Sequence, residues 1–223
     1  YQDNHDFIWI GTRSGLNRFD GHELTLIEQS NSDPVPFINE DITTIHQIDN
    51  QELWVGTDKG LFIYLYDSNK VVRHPSPLLA SNNINEIKKD SNGDIWIGTD
   101  FGASRFDGVN WTTYTTSTMQ SIALISNQIK SIDEDDNGGI WVGTNQGVSY
   151  FDGNSWISYA SPDLHWSGVN ATAFDSNGDK WFASPLGGVT HFDGTTFTNY
   201  DTSNGLLSQN VTALLIDNQD NKW

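Results

Sequence analysis

A tryptophan, in four copies followed by Ile or Val, then Gly and Thr, returns six times along the chain. Trp9, Trp54, Trp96, Trp141, Trp181 and Trp223 stand 40–45 residues apart. Between them lie short β-branched and aromatic runs, broken by Gly, Asn and Asp. A unit of this length, made of a few short strands, cannot bury both faces of its own sheet, so it needs a neighbour on either side. Repetition at 40–45 residues with strand-like content is the period of a β-propeller blade. The fold class is therefore all-β: four-stranded antiparallel blades, five repeats, one domain over residues 1–223. Blades are predicted at about 1–28 (lacking its inner strand), 39–74, 83–116, 127–160 and 168–201. Residues 209–223 then supply an inner strand, either to a next blade or to the first. Two arrangements remain open, an arc of a larger ring and a closed five-bladed ring.

The third repeat shows the grammar. Asn83–Lys88 reads as an inner strand and Asp90-Ser91-Asn92-Gly93-Asp94 as a hairpin turn, where Gly and Asn accept positive φ. Ile95–Thr99 is the second strand, Ala103–Phe106 the third and Trp111–Tyr114 the outer one. Phe-Asp-Gly recurs at Phe19, Phe106, Phe151 and Phe192, and an Asp precedes the tryptophan by six residues at Asp3, Asp90, Asp135, Asp175 and Asp217. Strands covered on both faces carry apolar residues on both sides. In Ile95-Trp96-Ile97 the indole is expected to pack one way and the isoleucines the other. Gly98 and its equivalents remove bulk where neighbouring sheets approach. Trp9, Trp54, Trp96, Trp141, Trp181 and Trp223 are thus the expected inter-blade core.

A formal charge of −18, from 29 acidic and 11 basic residues, would repel a phosphate backbone and excludes nucleic acid as a partner. No apolar run approaches 18 residues, so no membrane insertion is expected within the chain. The absence of cysteine removes disulfide and thiol chemistry. Phosphate loops and Gly-x-Ser-x-Gly elbows are missing, and the six histidines form no pair at metal-ligand spacing.

Trp9-Ile10-Gly11-Thr12 followed by Gly15-Leu16-Asn17-Arg18-Phe19-Asp20-Gly21 resembles the two-component regulator propeller repeats. Trp54–Thr57 with Gly60-Leu61, and Trp141 through Gly153, are similarly close. The resemblance implies rings of often seven blades, found in periplasmic sensor regions of hybrid histidine kinases and in secreted or surface-attached proteins. It implies a non-catalytic, extracytoplasmic module that senses or binds a ligand, an oligosaccharide among the candidates, or a surface or envelope protein. An assembly platform for surface proteins is the alternative. Streptogramin-lyase-type propellers, with similarly short repeats, keep a metal-dependent enzyme as a third reading; otherwise no cofactor is required.

In such a ring the loops leading into the inner strands share one face with the turns between second and third strands. Loops escape the packing that fixes strands, so ligands are expected there. The turns place Arg13, Lys59, Phe101, Gln146 and Leu186 on that face, and Asp41, Asn83, Gln128 and Asn210 ring the channel mouth. The connections 75–82, 116–127 and 160–168 join them. His165 and Trp166 in the last suit stacking against a sugar ring. Asp133-Glu134-Asp135-Asp136-Asn137-Gly138 fits the opening of a calcium loop, so Asp133, Asp135 and Asn137 are candidate Ca2+ ligands. Thr144 falls where the closing bidentate Glu belongs, and a hairpin turn is the competing reading.

Overall fold

Short alternating runs separated by positive-φ turns make nineteen strands in the computed structural model, which describes residues 1–27, 40–74, 79–117, 124–164 and 168–223. The first blade holds β1 (Ile8–Thr12), β2 (Gly15–Phe19) and β3 (Leu24–Leu26). The second holds β4 (Ile42–Gln47), β5 (Glu52–Thr57), β6 (Gly60–Leu65) and β7 (Lys70–Arg73). The third holds β8 (Ile84–Lys89), β9 (Ile95–Thr99), β10 (Gly102–Phe106) and β11 (Trp111–Tyr114). The fourth holds β12 (Ile129–Glu134), β13 (Ile140–Thr144), β14 (Gly147–Phe151) and β15 (Trp156–Tyr159). The fifth holds β16 (Ala171–Phe174), β17 (Lys180–Ser184), β18 (Gly188–Phe192) and β19 (Phe197–Tyr200). Each sheet is an antiparallel meander in chain order, three-stranded in the first blade and four-stranded in the others.

The expected division of labour within Ile-Trp-Ile is observed. Ile95 and Ile97 pack back against Trp54 of the second blade, whereas Trp96 packs forward against Ile129, Ile132, Ile140 and Val142 of the fourth. Glycine after the indole is required by the neighbour. A Cβ on Gly11, Gly56 or Gly98 would sit 2.5–2.6 Å from Cγ2 of Ile42, Ile84 or Ile129, the first residue of the next inner strand. The aspartate six residues before each tryptophan is structural too. In the third blade one Asp90 oxygen accepts from the amides of Asn92 (3.0 Å) and Asp94 (2.9 Å), and the other accepts from the Trp96 indole (2.9 Å). The same indole bond recurs from Trp9, Trp141, Trp181 and Trp223. Trp54, which has Ile48 at that place, donates to Glu52 instead.

Packing follows chain order: β1 of the first blade meets β4, the inner strands β4, β8, β12 and β16 each meet the next, and among the described residues no comparable contact joins the first blade to the fifth. The described residues form an open arc, and the closed five-bladed ring is not the arrangement adopted. Ile8, Ile10, Leu24 and Leu26 are exposed at one end, Leu215 and Trp223 at the other. Residues 210–216, expected as an inner strand, dock by Val211 N–H on the Ser184 carbonyl (2.9 Å) but form only a single bridge, Ile216 with Lys222. A strand needs a ladder along its length, and only the Leu215–Trp223 end of this segment has one. Trp223 also departs from the expected core, at 72% exposure, while Trp181 is half-buried. The residues covering Trp9, Trp54, Trp96 and Trp141 belong to the following blade, and among the described residues no such sheet lies on Trp223.

Candidate functional site

Four of the turns between second and third strands are built the same way, and the fifth varies the theme. Thr99 Oγ1 accepts the Phe101 amide (3.1 Å) and donates to the Gly102 carbonyl (2.8 Å), while Gly102 takes φ 131°. Thr12, Thr57 and Thr144 repeat both bonds, and Ser184 accepts from the amides of Leu186 and Gly187. With its backbone satisfied, the second turn residue is free to project. Phe101 is 65% and Leu186 61% exposed, and Gln146 is exposed. Lys59 is held by an ion pair to Glu40 (3.0 Å), which raises the pKa of its ammonium. Arg13 is exposed but one position out of line. The residue equivalent to Lys59 and Phe101 is Ser14, whose amide binds Thr12 Oγ1, and Arg13 aligns with Asp58, Asp100 and Asn145.

Those aligned residues tie the turns to the mouth of the inner strands. Asp100 accepts from Asn83 and from Asn85 (2.9 Å); Asn145 donates to Gln128 (2.7 Å) and meets Ser126 (2.5 Å). The Asp41 carbonyl accepts from the Asp58 amide (3.3 Å). Asn83, Gln128 and Asp41 are thus each hydrogen-bonded to a turn. Asn210 is exposed, and among the described residues its amide N–H donates locally, to Ser208 Oγ (3.0 Å). His165 and Trp166 lie outside the described residues, as do 75–78 and 118–123 of the longer connections. What is described of the last loop is anchored by Leu164, buried beside Trp141 and Phe182.

Two of the candidate calcium residues, Asp135 and Asp133, have separate partners. Asp135 uses one oxygen for the Asn137 and Gly139 amides and the other for the Trp141 indole. Asp133 faces Lys88 and Thr172. Among the described residues the trio able to converge on an ion is Asp175, Asp179 and His191. There His191 Nε2 lies 2.7 Å from Asp179, and Asp175 binds the Trp181 indole and Lys222 Nζ (3.3 Å). The third blade puts Arg105 on Asp94 at the same place, and the fourth lays Tyr150 over Gly139. This position is blade packing.

A second concavity runs along the axis, a cleft of about 310 Å³ between the inner strands, lined by Glu86, Lys88, Lys130, Ser131, Asp133 and Thr172 among others. Composition and spacing did not single it out, apart from Asp133. It depends on repeated bulges at Thr43, Asn85 and Lys130, which the sequence does not mark.

The family model described as two component regulator propeller matches residues 78–101 and 123–146. No curated protein matches the chain. Among solved structures it is similar to PorZ, a surface component of the type-IX secretion system of Porphyromonas gingivalis. That match has TM-score 0.73 at 19% identity over 95% of this chain and 35% of the other. It is similar to the extracellular domain assigned to a hybrid two component system, BT4673, of B. thetaiotaomicron (TM-score 0.64, 19% identity, 100% of this chain and 36% of that one). Virginiamycin B lyase from Staphylococcus aureus matches at TM-score 0.66 and 13% identity, over 90% of this chain and 68% of the lyase. At these identities the likeness shows a shared fold, and the chain spans little more than a third of the first two structures. Fold and blade grammar agree that this is a β-propeller, and two of its segments, residues 78–101 and 123–146, are similar to two component regulator propeller repeats.

Proposed function

We propose that this chain is a non-catalytic recognition module of an extracytoplasmic protein, binding its ligand or partner on the face made by the second-to-third-strand turns. One observation carries the reading. The turns meet their backbone requirements internally through Thr or Ser, so Phe101, Gln146 and Leu186 are displayed by a rigid frame and are not used to build it. Rigid frames with projecting loop side chains are where binding sites concentrate. The solved relatives support an extracytoplasmic setting, since one is an extracellular domain and another a surface component. An exposed aromatic beside hydrogen-bonding amides suits an oligosaccharide, whose apolar C–H faces stack on rings while its hydroxyls meet Asn, Gln and Asp. His165 and Trp166 belong to this face in the same reading.

Isothermal titration against a panel of neutral and acidic oligosaccharides tests the proposal, with Phe101→Ala and Trp166→Ala as controls. Saturable binding weakened by either substitution supports it. Binding untouched by both places recognition elsewhere, and no binding to any oligosaccharide removes the glycan version. A platform for surface proteins is favoured by one separate observation, the apolar side chains exposed at the ends of the arc. It predicts recovery of a stable protein partner from envelope extracts without added sugar.

A further inference from the structure

Two residues in the axial cleft break patterns that the other blades keep. Thr44, Glu86, Ser131 and Ala171 stand at one level, opposite Gly56, Gly98, Gly143 and Ala183. Three are small, which leaves the space of the cleft, and Glu86 puts the level's one carboxyl into it. On the preceding level, Thr43 donates to the Ile84 carbonyl (2.6 Å), Asn85 to that of Ile129 (2.9 Å) and Asn170 to that of Val211 (3.3 Å). Lys130 occupies the same place, is exposed, and has no ion-pair or hydrogen-bond partner among the described residues.

The remaining charges neutralise one another. Lys88 pairs with Asp133 (3.0 Å), whose other oxygen accepts from Thr172. His46 is neutral: its Nε2 accepts the Lys89 amide (3.3 Å), and burial with Lys88 and Lys89 nearby holds its pKa down to about 4. What remains is one carboxyl, bonded by the Thr44 hydroxyl, and one free ammonium in the same cleft. The Ser131 hydroxyl, buried without a partner among the described residues, also lines it.

We propose that the axial cleft binds a small zwitterion, an α- or ω-amino acid, with the ligand ammonium on Glu86 and its carboxylate on Lys130. A divalent cation would require six or more oxygens, and the cleft offers two carboxyls, Asp133, whose oxygens are taken by Lys88 and Thr172, and Glu86, already bonded by the Thr44 hydroxyl. A simple anion would meet Lys130 but also the carboxylates of Glu86 and Asp133. A simple cation would satisfy Glu86 and face Lys130. A molecule carrying both charges satisfies each, with charge-assisted hydrogen bonds at both ends. This site goes beyond recognition on the turn face and does not depend on it.

Binding is coupled to a proton. Burial, and then Asp133, push the Glu86 pKa up to about 7, against the opposing pull of Lys88. The groups facing Glu86 are Thr44 and His46 from β4, Lys88 from its own strand, Lys130 and Asp133 from β12, Thr172 from β16, and Tyr1. The ligand ammonium displaces the Glu86 proton, so affinity rises as pH climbs through 7 and levels once the carboxyl is ionised.

The test titrates the 1–223 chain with glycine, 4-aminobutyrate and 6-aminohexanoate, following amide shifts by NMR, beside butylammonium and butyrate as single-charge controls. The expected result is saturable binding of at least one zwitterion, about tenfold tighter than either control, and weakened about tenfold by Glu86→Gln and by Lys130→Met. Affinity should also increase from pH 6 to 8. Lys130 is exposed, so Lys130→Met keeps the fold; if Glu86→Gln does not fold, Lys130→Met and the pH series decide. The absence of saturation by any zwitterion overturns the proposal. So does equal binding of either control, or a Lys130→Met protein that binds as tightly as the parent.

Discussion

Replacing Gly98 by alanine tests how the blades are spaced. The added methyl would lie 2.6 Å from Ile129 Cγ2, 3.1 Å from its Cβ and 3.2 Å from Ile132 Cδ1. Carbon atoms rest about 3.5–4.0 Å apart, so the fourth blade must retreat by about 1 Å or its isoleucines must leave their rotamers. Ile129 and Ile132 are almost fully buried, leaving no solvent-side escape. Overpacking of this kind costs about 1–3 kcal/mol. Ile129→Ala alone should cost about 2–5 kcal/mol through lost burial and a cavity. Together the two changes relieve each other, since the Cγ2 that collides is gone, and a favourable coupling of about 1–2 kcal/mol is expected. The assay is urea unfolding followed by tryptophan fluorescence, with midpoint and slope fitted for wild type, both single variants and the double variant. Stability of Gly98→Ala within about 0.5 kcal/mol of wild type, or strict additivity with Ile129→Ala, would refute the close approach as the reason for glycine.

Asp90→Ala removes the acceptor of the Trp96 indole and of two turn amides, leaving a buried N–H unsatisfied, and should cost about 2–4 kcal/mol in the same assay. In Glu86 the folded pKa is raised above its ordinary value of 4.5, so its contribution to stability is full below pH 4.5 and is lost as pH rises towards 7. Glu86→Gln should therefore remove that decline, melting higher than wild type at pH 8 relative to pH 5. The Asp3 carboxyl is raised by burial, but the Trp9 indole, the Tyr66 hydroxyl and the Phe7 and His5 amides outweigh this and hold it below its usual value. Its contribution is full above pH 4 and lost at lower pH, and Asp3→Asn should blunt the acid-side fall in a pH series of melting curves. Ile10→Lys with Leu26→Lys should reduce concentration-dependent light scattering without changing the unfolding midpoint by more than about 0.5 kcal/mol, because both positions are exposed.

The blade interior was readable in the residues because one geometric problem is solved repeatedly. An indole must reach the next sheet, an aspartate must hold its N–H, and a glycine must admit the next inner strand, so the three recur at fixed offsets. Gly98 and Asp90 illustrate this. The turn face was partly legible. Thr-x-x-Gly fixes the projecting position, and applying that spacing to Thr12–Gly15 selects Ser14 in place of Arg13. The ends were harder to read, since repeat grammar describes a blade between two neighbours. Residues 210–223 have one neighbour, so the strand pattern there makes a single bridge and Trp223 stays exposed. The axial cleft was least visible. Glu86 and Lys130 read as ordinary strand residues until bulged pairing, which shifts register between Ile84 and Glu86 and between Ile129 and Ser131, turns them to the axis.

Recognition on the turn face is tested most directly by a hydrogen-exchange footprint, taken with whichever oligosaccharide of the panel binds. Protection should appear at residues 58–60, 100–102, 145–147 and 186–188, where the turns display their side chains. Protection confined to the opposite hairpins, at 91–94, 136–139 and 176–179, would contradict the assignment of that face.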